Sequence, residues 1–298
     1  MAKFYTISPQ GVPENPHLFP MWRPTFVDRG HEFVDRIEKC DAVLFDLHTR
    51  IGKYNDDELD YIVYNRTPMA TFCEWDRGGM SKEVWPQPLT DQMQLFFYRV
   101  EAIEQKRVHF GRLFDKTKPP PSNFYPYEKA IIHEEPMLSP EELFNRPYDI
   151  VWIANSAPQR ERLKQALEAD GRLKCKIILG AQKIPFNEWV NEHRNGKLFV
   201  SCSGGGFTDE RCQHLFSIAG IIRERTDQLL LHDFTDLVNC CRVSEEHIKY
   251  EIDAIVKVVN DKERLYTIYR NGYDFMKTYY SKEYIANNIL ETILKHLS

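Results

Sequence analysis

Three consecutive glycines, Gly204, Gly205 and Gly206, lie between an apolar run and a helical pattern in residues 198–215 (LFVSCSGGGFTDERCQHL). The run stops at Ser201 and Ser203, Thr208 or Asp209 stands where a helix N-cap belongs, and Arg211 falls in the first turn. Glycines between a strand and a helix let backbone amides approach a ligand closely, and a helix N-terminus favours an anion there. This pattern predicts a grip on a phosphate, most naturally one inside a nucleotide. A tight packing turn has the same composition, so the surroundings must choose between the two.

A second group with reactive chemistry is CEWDRGG, residues 73–79, where Glu74 and Asp76 precede Gly78 and Gly79 just after an apolar run. A partly desolvated carboxylate acts as a general base toward a hydroxyl. The competing role for Asp76 is to cap a turn before Gly78. His48 is a further base candidate, ranked below Asp76 because a histidine following a strand more often serves structure.

Alternating strand and helix patterns position these residues. In the first half, strands are expected at 3–8, 41–47, 68–75 and 107–114. Helices are expected around 32–39, at 56–66 and from about 90 to 105, with a turn-rich loop at 9–20. Strands that are apolar throughout and separated by helices imply parallel pairing through right-handed crossovers. Between about 116 and 147 the pattern dissolves into proline-rich sequence, which sets an expected boundary between domains 1–146 and 147–298. The second half repeats the rhythm: strand 148–155, a helix from Pro158 to a stop at Gly171, strand 175–180, and a short helix closed by Gly196. Then follow the strand, glycines and helix described above, a strand at 221–225, an irregular stretch, and helices at 246–259, 262–278 and 282–297. The fold class expected is α/β, with two Rossmann-like parallel-sheet domains facing across a cleft.

Ligands of open parallel sheets bind beyond the carboxyl ends of the strands. In the second half those ends carry Asn155, Ser156 and the nearby Arg160, then Gly180 to Lys183, then Ser203 to Asp209 with Arg211, and then Arg223 to Arg225. One such arginine is more often a solvated first-turn residue, but several beside three glycines suit a diphosphate, which accepts bidentate guanidinium bonds.

Whole-chain properties narrow the choice. The 298 residues carry a net charge of −5. Residues 1–148 hold 18 Lys+Arg against 23 Asp+Glu, and the remainder is balanced, unlike the basic body of a general nucleic-acid binder. No apolar run approaches the roughly 18 residues of a membrane helix, and the N-terminus lacks signal-peptide character. The 7 cysteines form no C-x-x-C pair, which suits reduced thiols in a cytoplasm, that of a host if the chain is viral. The 10 histidines show no H-x-x-H or H-E-x-x-H spacing, so no metal is expected. Neither the P-loop G-x-x-x-x-G-K-[ST] nor a G-x-G-x-x-G after the first strand of either half is present, and no D-x-D occurs.

The second half resembles the nucleotide-sugar domain of GT-B glycosyltransferases, particularly their CAP10-like and exostosin-like branches. The resemblance rests on SCSGGGFTDERCQHLFSIAG, on LLLHDFTDL, and on DKERLYTIYRNGYDFMKTYYSKEY, a helix carrying R-N-G followed by a Ser-capped last helix. It covers roughly 148–297; the first half matches in architecture only. The resemblance implies that Gly204 to Gly206 and Arg211 hold a donor diphosphate, and that Arg160 matches the arginine after the first strand of the second domain. From the strand ends, Ser156, Gly180, Lys183, Ser203, Thr208 and Asp209 complete the expected donor site. Many GT-B enzymes carry a Glu for the donor ribose on the helix after the glycines; here that stretch reads Arg211, Cys212, Gln213, His214, with Asp209 and Glu210 one turn earlier as substitutes.

The function implied is hexosyl or pentosyl transfer from a nucleotide-diphosphate sugar, a UDP-sugar first, to an acceptor hydroxyl. Inversion without a metal is expected, with Asp76 as base and no separate cofactor. The acceptor is either a glycan or a hydroxymethylated base in viral DNA, for which the aromatic and basic loops around Trp22 and 116–127 would take a flipped base. Two further readings are a non-catalytic two-lobed binding protein and a sugar-nucleotide epimerase.

Overall fold

The computed structural model describes residues 1–8, 19–47, 54–73, 93–99, 124–127, 130–180, 184–202, 210–225, 232, 234–244 and 246–297. Two compact units divide the chain: Met1–Ala130 with Lys282–Ser298, and Ile131–Asp227 with His232–Ser281. The division falls at the start of the segment leading into the second sheet, earlier than residue 146, and the last helix joins the first unit.

The first unit is built on strands β1 (Lys3–Ile7), β2 (Glu32–Phe33), β3 (Ala42–Leu47), β4 (Met69–Cys73), β5 (Met93–Arg99) and β6 (Phe124–Tyr127), in the order β2-β1-β3-β4-β5-β6. The second carries β7 (Tyr148–Ala154), β8 (Cys175–Leu179), β9 (Gly196–Ser201), β10 (Gly220–Glu224) and β11 (Cys241–Val243), in the order β11-β10-β9-β7-β8. All pairings in both sheets are parallel, as apolar strands separated by helices require.

Local chemistry sets many element ends. Helix α1 spans Phe19–Asp28, and α2 spans Asp56–Asn65. The Asn55 side chain caps α2 by accepting from the Asp57 amide, three acidic residues fill its first turn, and Arg66 ends it in the left-handed region. In the second unit, α3 (Pro140–Phe144) opens with a Ser139/Glu142 capping box. Helix α4 (Pro158–Ala169) has proline in its first turn and is followed by Gly171 at φ 71°. Helices α5 (Phe186–His193), α6 (Glu210–Leu215), α7 (Ile248–Val259) and α8 (Lys262–Tyr279) follow. The last helix, α9 (Lys282–Leu297), buries Ile285, Ala286, Ile289, Leu290 and Ile293 in one core with Phe19, Trp22 and Phe26 of α1.

Three expectations for the first half are corrected. Residues 32–39 form no α-helix but a short edge strand and a 3-10 turn (Ile37–Lys39). Phe33 and Ile37 are spaced for a helix, yet the Glu32 and Val34 amides find better acceptors on β1, the carbonyls of Ala2 (3.0 Å) and Phe4 (2.9 Å). The helix lies earlier, at α1, in sequence whose prolines suggested a loop; its Phe19, Trp22 and Phe26 make a buried stripe at helical spacing. The helix expected at 90–105 contains β5 instead, because β4 and β6 offer ladders on both sides. The strand expected at 107–114 lies outside the described residues. In the second half, the helices and the first four strands match the expected pattern to within a few residues, whereas β11 forms inside the stretch expected to be irregular, where β10 offers it a parallel ladder.

In the second unit the helices cover both faces of the sheet. One core joins Leu163 and Leu167 of α4 with Ile252 and Ile255 of α7, over Leu198, Val200 and Cys202. Another joins Val190 of α5 with Cys212 and Leu215 of α6, over Phe199 and Ile221. Alternate residues of β9 thus feed opposite cores.

Candidate functional site

The strand order of the second sheet reverses at β7, which has β8 on one side and β9 on the other. Just beyond the carboxyl ends of such a pair, the two flanking loops part and leave a crevice. Here β7 ends at Ala154 and β9 at Ser201, so Asn155, Ser156 and Cys202 form the described part of the rim.

Arg160, in the first turn of α4, ties the two strand ends together. It is only 6% exposed. Its Nη1 donates to the Asn155 carbonyl at 2.9 Å, while Nε and Nη2 donate to the Cys202 carbonyl at 3.2 and 3.0 Å. Three of the five guanidinium N–H donors are therefore engaged with backbone across the reversal point. Burial lowers its pKa, and Cys202 and Glu224 oppose that shift.

Cys202 is the last described residue before the glycine run. Burial pushes its thiol pKa up, Glu224 adds to the rise through its charge and a hydrogen bond, and Arg160 and Arg211 pull the other way. Of the arginines expected at this edge, Arg160 reaches the residue at the end of β9 through two hydrogen bonds. Ser156 and Gly180 meet at the neighbouring edge: Gly180, at φ 75°, ends β8, and a Cβ placed there would lie 3.7 Å from Ser156 Cβ. The Ser156 hydroxyl donates to Glu161 Oε1 at 2.6 Å.

Ser156 and Gly180 follow the carboxyl ends of β7 and β8, and Arg160 and Arg211 lie in the first turns of α4 and α6, all within the second unit. Lys183, Ser203, Gly204, Gly205, Gly206, Thr208 and Asp209 lie outside the described residues. So do Asp76, Glu74 and His48.

Two of the arginines expected at the edge have other partners. Arg223 lies within β10, 1% exposed, with its guanidinium 4.8 Å from the Phe234 ring centroid. Arg225 pairs with Glu251 at 2.7 Å and with Asp236 at 2.6 Å. Between them stands Glu224, which the sequence reading did not single out. Alternation along IIRER gave its signal: Ile222 and Glu224 share a face, and that face carries Cys202 on the next strand. Glu251 was also missed. Nearly buried, it accepts from the Ser244 amide at 2.5 Å and fixes the end of β11.

On the other face, His193 of α5 is buried, and its Nδ1–H donates to the Trp189 carbonyl at 2.8 Å. Burial lowers its pKa to about 4, and the charge of Arg211 contributes in the same direction. Among the described residues, no group of three or more His, Cys, Asp or Glu could hold a metal ion, and no helix is long and apolar enough to cross a membrane.

Solved structures match this arrangement of sheets along the chain. A glycosyltransferase from Rickettsia africae ESF-5 aligns with a TM-score of 0.61 at 9% identity, covering 100% of this chain and 99% of that one. An alpha-glucosyltransferase solved with UDP-glucose and DNA containing an abasic site aligns at 0.57 and 10% identity, over 98% of both chains. The chain has the GT-B fold. TarM aligns at 0.52 and 12% identity over 85% of this chain, which spans about half, 54%, of TarM. No protein-family model matches the chain, and no curated protein matches it in sequence.

Proposed function

We propose that this chain is a glycosyltransferase that moves a sugar from a nucleoside-diphosphate sugar, a UDP-sugar first, to an acceptor hydroxyl. The observation that carries the reading is the buried Arg160 bridge between the ends of β7 and β9, two residues ahead of three glycines, in a chain of GT-B fold. Arg160 serves there as a positioning residue that holds the two strand ends, and Arg211 with Gly204, Gly205 and Gly206 meets the diphosphate. Ser156, Gly180, Lys183, Ser203, Thr208 and Asp209 complete the donor site. The narrower likeness to CAP10-like and exostosin-like enzymes rests on the sequence of 148–297. In that division of labour, the first unit, with the last helix, is the acceptor side and the second unit the donor side.

Asp76 deprotonates the acceptor hydroxyl, with Glu74 and His48 as the alternative bases, and cationic and amide groups stabilise the leaving diphosphate. The displacement inverts the anomeric carbon and uses no metal. Incubation of the full chain with UDP-hexoses and UDP-pentoses tests the reading through release of UDP. Asp76→Asn is expected to cut transfer by about 10²–10⁴-fold, the usual range for losing general-base catalysis, with UDP affinity unchanged. Full activity in that variant would refute the role of Asp76, and a product that keeps the donor's anomeric configuration would refute inversion.

A second acceptor class is favoured by the match to an alpha-glucosyltransferase bound to DNA over 98% of both chains. On that reading the acceptor is a hydroxymethylated base flipped from a duplex. Transfer of labelled sugar to a duplex with 5-hydroxymethylcytosine, against an unmodified duplex, distinguishes it from a glycan acceptor. Retention on DNA would fall steeply with salt.

A further inference from the structure

Arg160 and Glu161 are successive residues in the first turn of α4, and they leave it on different sides, because an α-helix rotates by about 100° per residue. Arg160 reaches the Cys202 carbonyl at the end of β9. Glu161 instead accepts through Oε1 from the Ser156 hydroxyl, just past β7, at 2.6 Å. Ser156 in turn stands beside the end of β8, since a Cβ built on Gly180 would lie 3.7 Å from its own. Opposite charges are thereby sorted across the end of β7. The guanidinium goes toward β9, which the three glycines follow in sequence, and the carboxylate goes toward β8.

Glu161 is partly exposed and Ser156 is exposed. Among the described residues, the Ser156 hydroxyl is the one hydrogen-bond partner of the Glu161 side chain. A carboxylate offers about four acceptor positions on its two oxygens and donates none. The bond to Ser156 therefore fixes the side chain while leaving Oε2 for a ligand. No other carboxylate is encoded at these two strand ends, because residues 153–160 and 180–185 contain neither Asp nor Glu.

A fixed carboxylate repels phosphate and accepts from a pair of adjacent hydroxyls, one on each oxygen. A ribonucleoside diphosphate carries both kinds of group, its diphosphate and the vicinal 2′ and 3′ hydroxyls of its ribose. Neighbouring strands lie about 4.8 Å apart, so β9 and β8, with β7 between them, are about 10 Å apart. A nucleotide lying across β7 with its diphosphate toward β9 brings its ribose toward Glu161.

We propose that Glu161, positioned by Ser156, accepts hydrogen bonds from the ribose hydroxyls of the donor and makes the site selective for ribonucleotides. This rests on the donor reading above and adds to it the group that recognises the sugar of the nucleotide.

The test is calorimetric titration of the full chain with UDP and GDP, each against its 2′-deoxy form. The wild type is expected to bind the ribonucleotide about ten-fold more tightly, the usual scale for a hydroxyl bonded to a charged group. Glu161→Ala is expected to bind both forms equally, at the wild type's affinity for the deoxy form. Should that chain fail to fold, Glu161→Met, of similar length and without the carboxylate, makes the same test. Ser156→Ala is expected to shrink the preference by freeing the carboxylate. A merely structural role for Glu161 would weaken both forms together and keep their ratio. An unchanged ratio in the Glu161 variant, or no preference in the wild type, would overturn the proposal while leaving the donor reading in place. Failure of every one of these nucleotides to bind the wild type would instead refute the donor reading, and the proposal with it.

Discussion

At the residue scale, Arg160 carries the clearest structural consequence. Its side chain supplies three bonds to two backbone carbonyls at the reversal point, and it is nearly buried while doing so. Arg160→Met keeps most of the stem packing but leaves those carbonyls without their donors. Loss of a buried partner of this kind costs about 2–3 kcal/mol, to be read as a lower urea midpoint at unchanged slope. An unchanged midpoint would show that the bridge contributes nothing net. His193 gives a pH test. Its pKa lies near 4 when folded, against 6.5 for the free side chain, so the unfolded chain binds the proton first as pH falls. The resulting stability is fully present above pH 6.5 and is lost as pH drops toward 4, amounting to about 3 kcal/mol for a shift of this size. The difference between wild type and His193→Gln, measured by denaturation across that window, isolates this histidine from the carboxylates that titrate with it. The arginines near the glycine run were legible by spacing. Their division of labour was not, because spacing does not say whether a guanidinium points at solvent or at its own backbone.

At the element scale, the R-N-G of α8 has a packing explanation. A Cβ on Gly272 would lie 2.7 Å from the Asn239 carbonyl oxygen, and the Asn271 side-chain amide donates to the Val238 carbonyl at 3.0 Å. Together they let the helix lie directly on the turn before β11. That turn is backbone and cannot swing aside like a side chain, so Gly272→Ala is expected to destabilise by about 2 kcal/mol, an overpacking cost, visible as a lower melting midpoint. Equal stability would mean the helix shifts at no cost. Most elements of the second unit were readable because they carry a local signal, as with Pro158 opening α4 and Asp261 capping α8 by accepting from the Arg264 amide at 3.0 Å, whereas β11 and α3 were not. The errors cluster in the first unit. There β2 exists because β1 has a free edge, and β5 exists because it has a strand on each side. Neither cause is written in the residues' own periodicity.

At the scale of the whole molecule, the last helix of the chain completes the first unit. Five of its side chains, Ile285, Ala286, Ile289, Leu290 and Ile293, are buried in the core that holds Phe4, Trp22 and Phe72. Fully burying an aliphatic side chain is worth about 1.5–3 kcal/mol, and a domain has only about 5–15 kcal/mol to lose. A chain ending at Ser281 is therefore expected to lose amide-exchange protection in β1, β3 and β4 while β7 and β9 keep theirs. Equal protection in both would show that the first unit stands without the helix. Alternation and caps were enough to establish two parallel α/β halves, because those signals act over a few residues. Which arginine bridges the strand ends, that Glu224 stands beside Cys202, and that the C-terminal helix returns to the N-terminal core were decided by tertiary structure. Each of these depends on which distant segments come to share a face or an edge, a property of packing that no local spacing encodes.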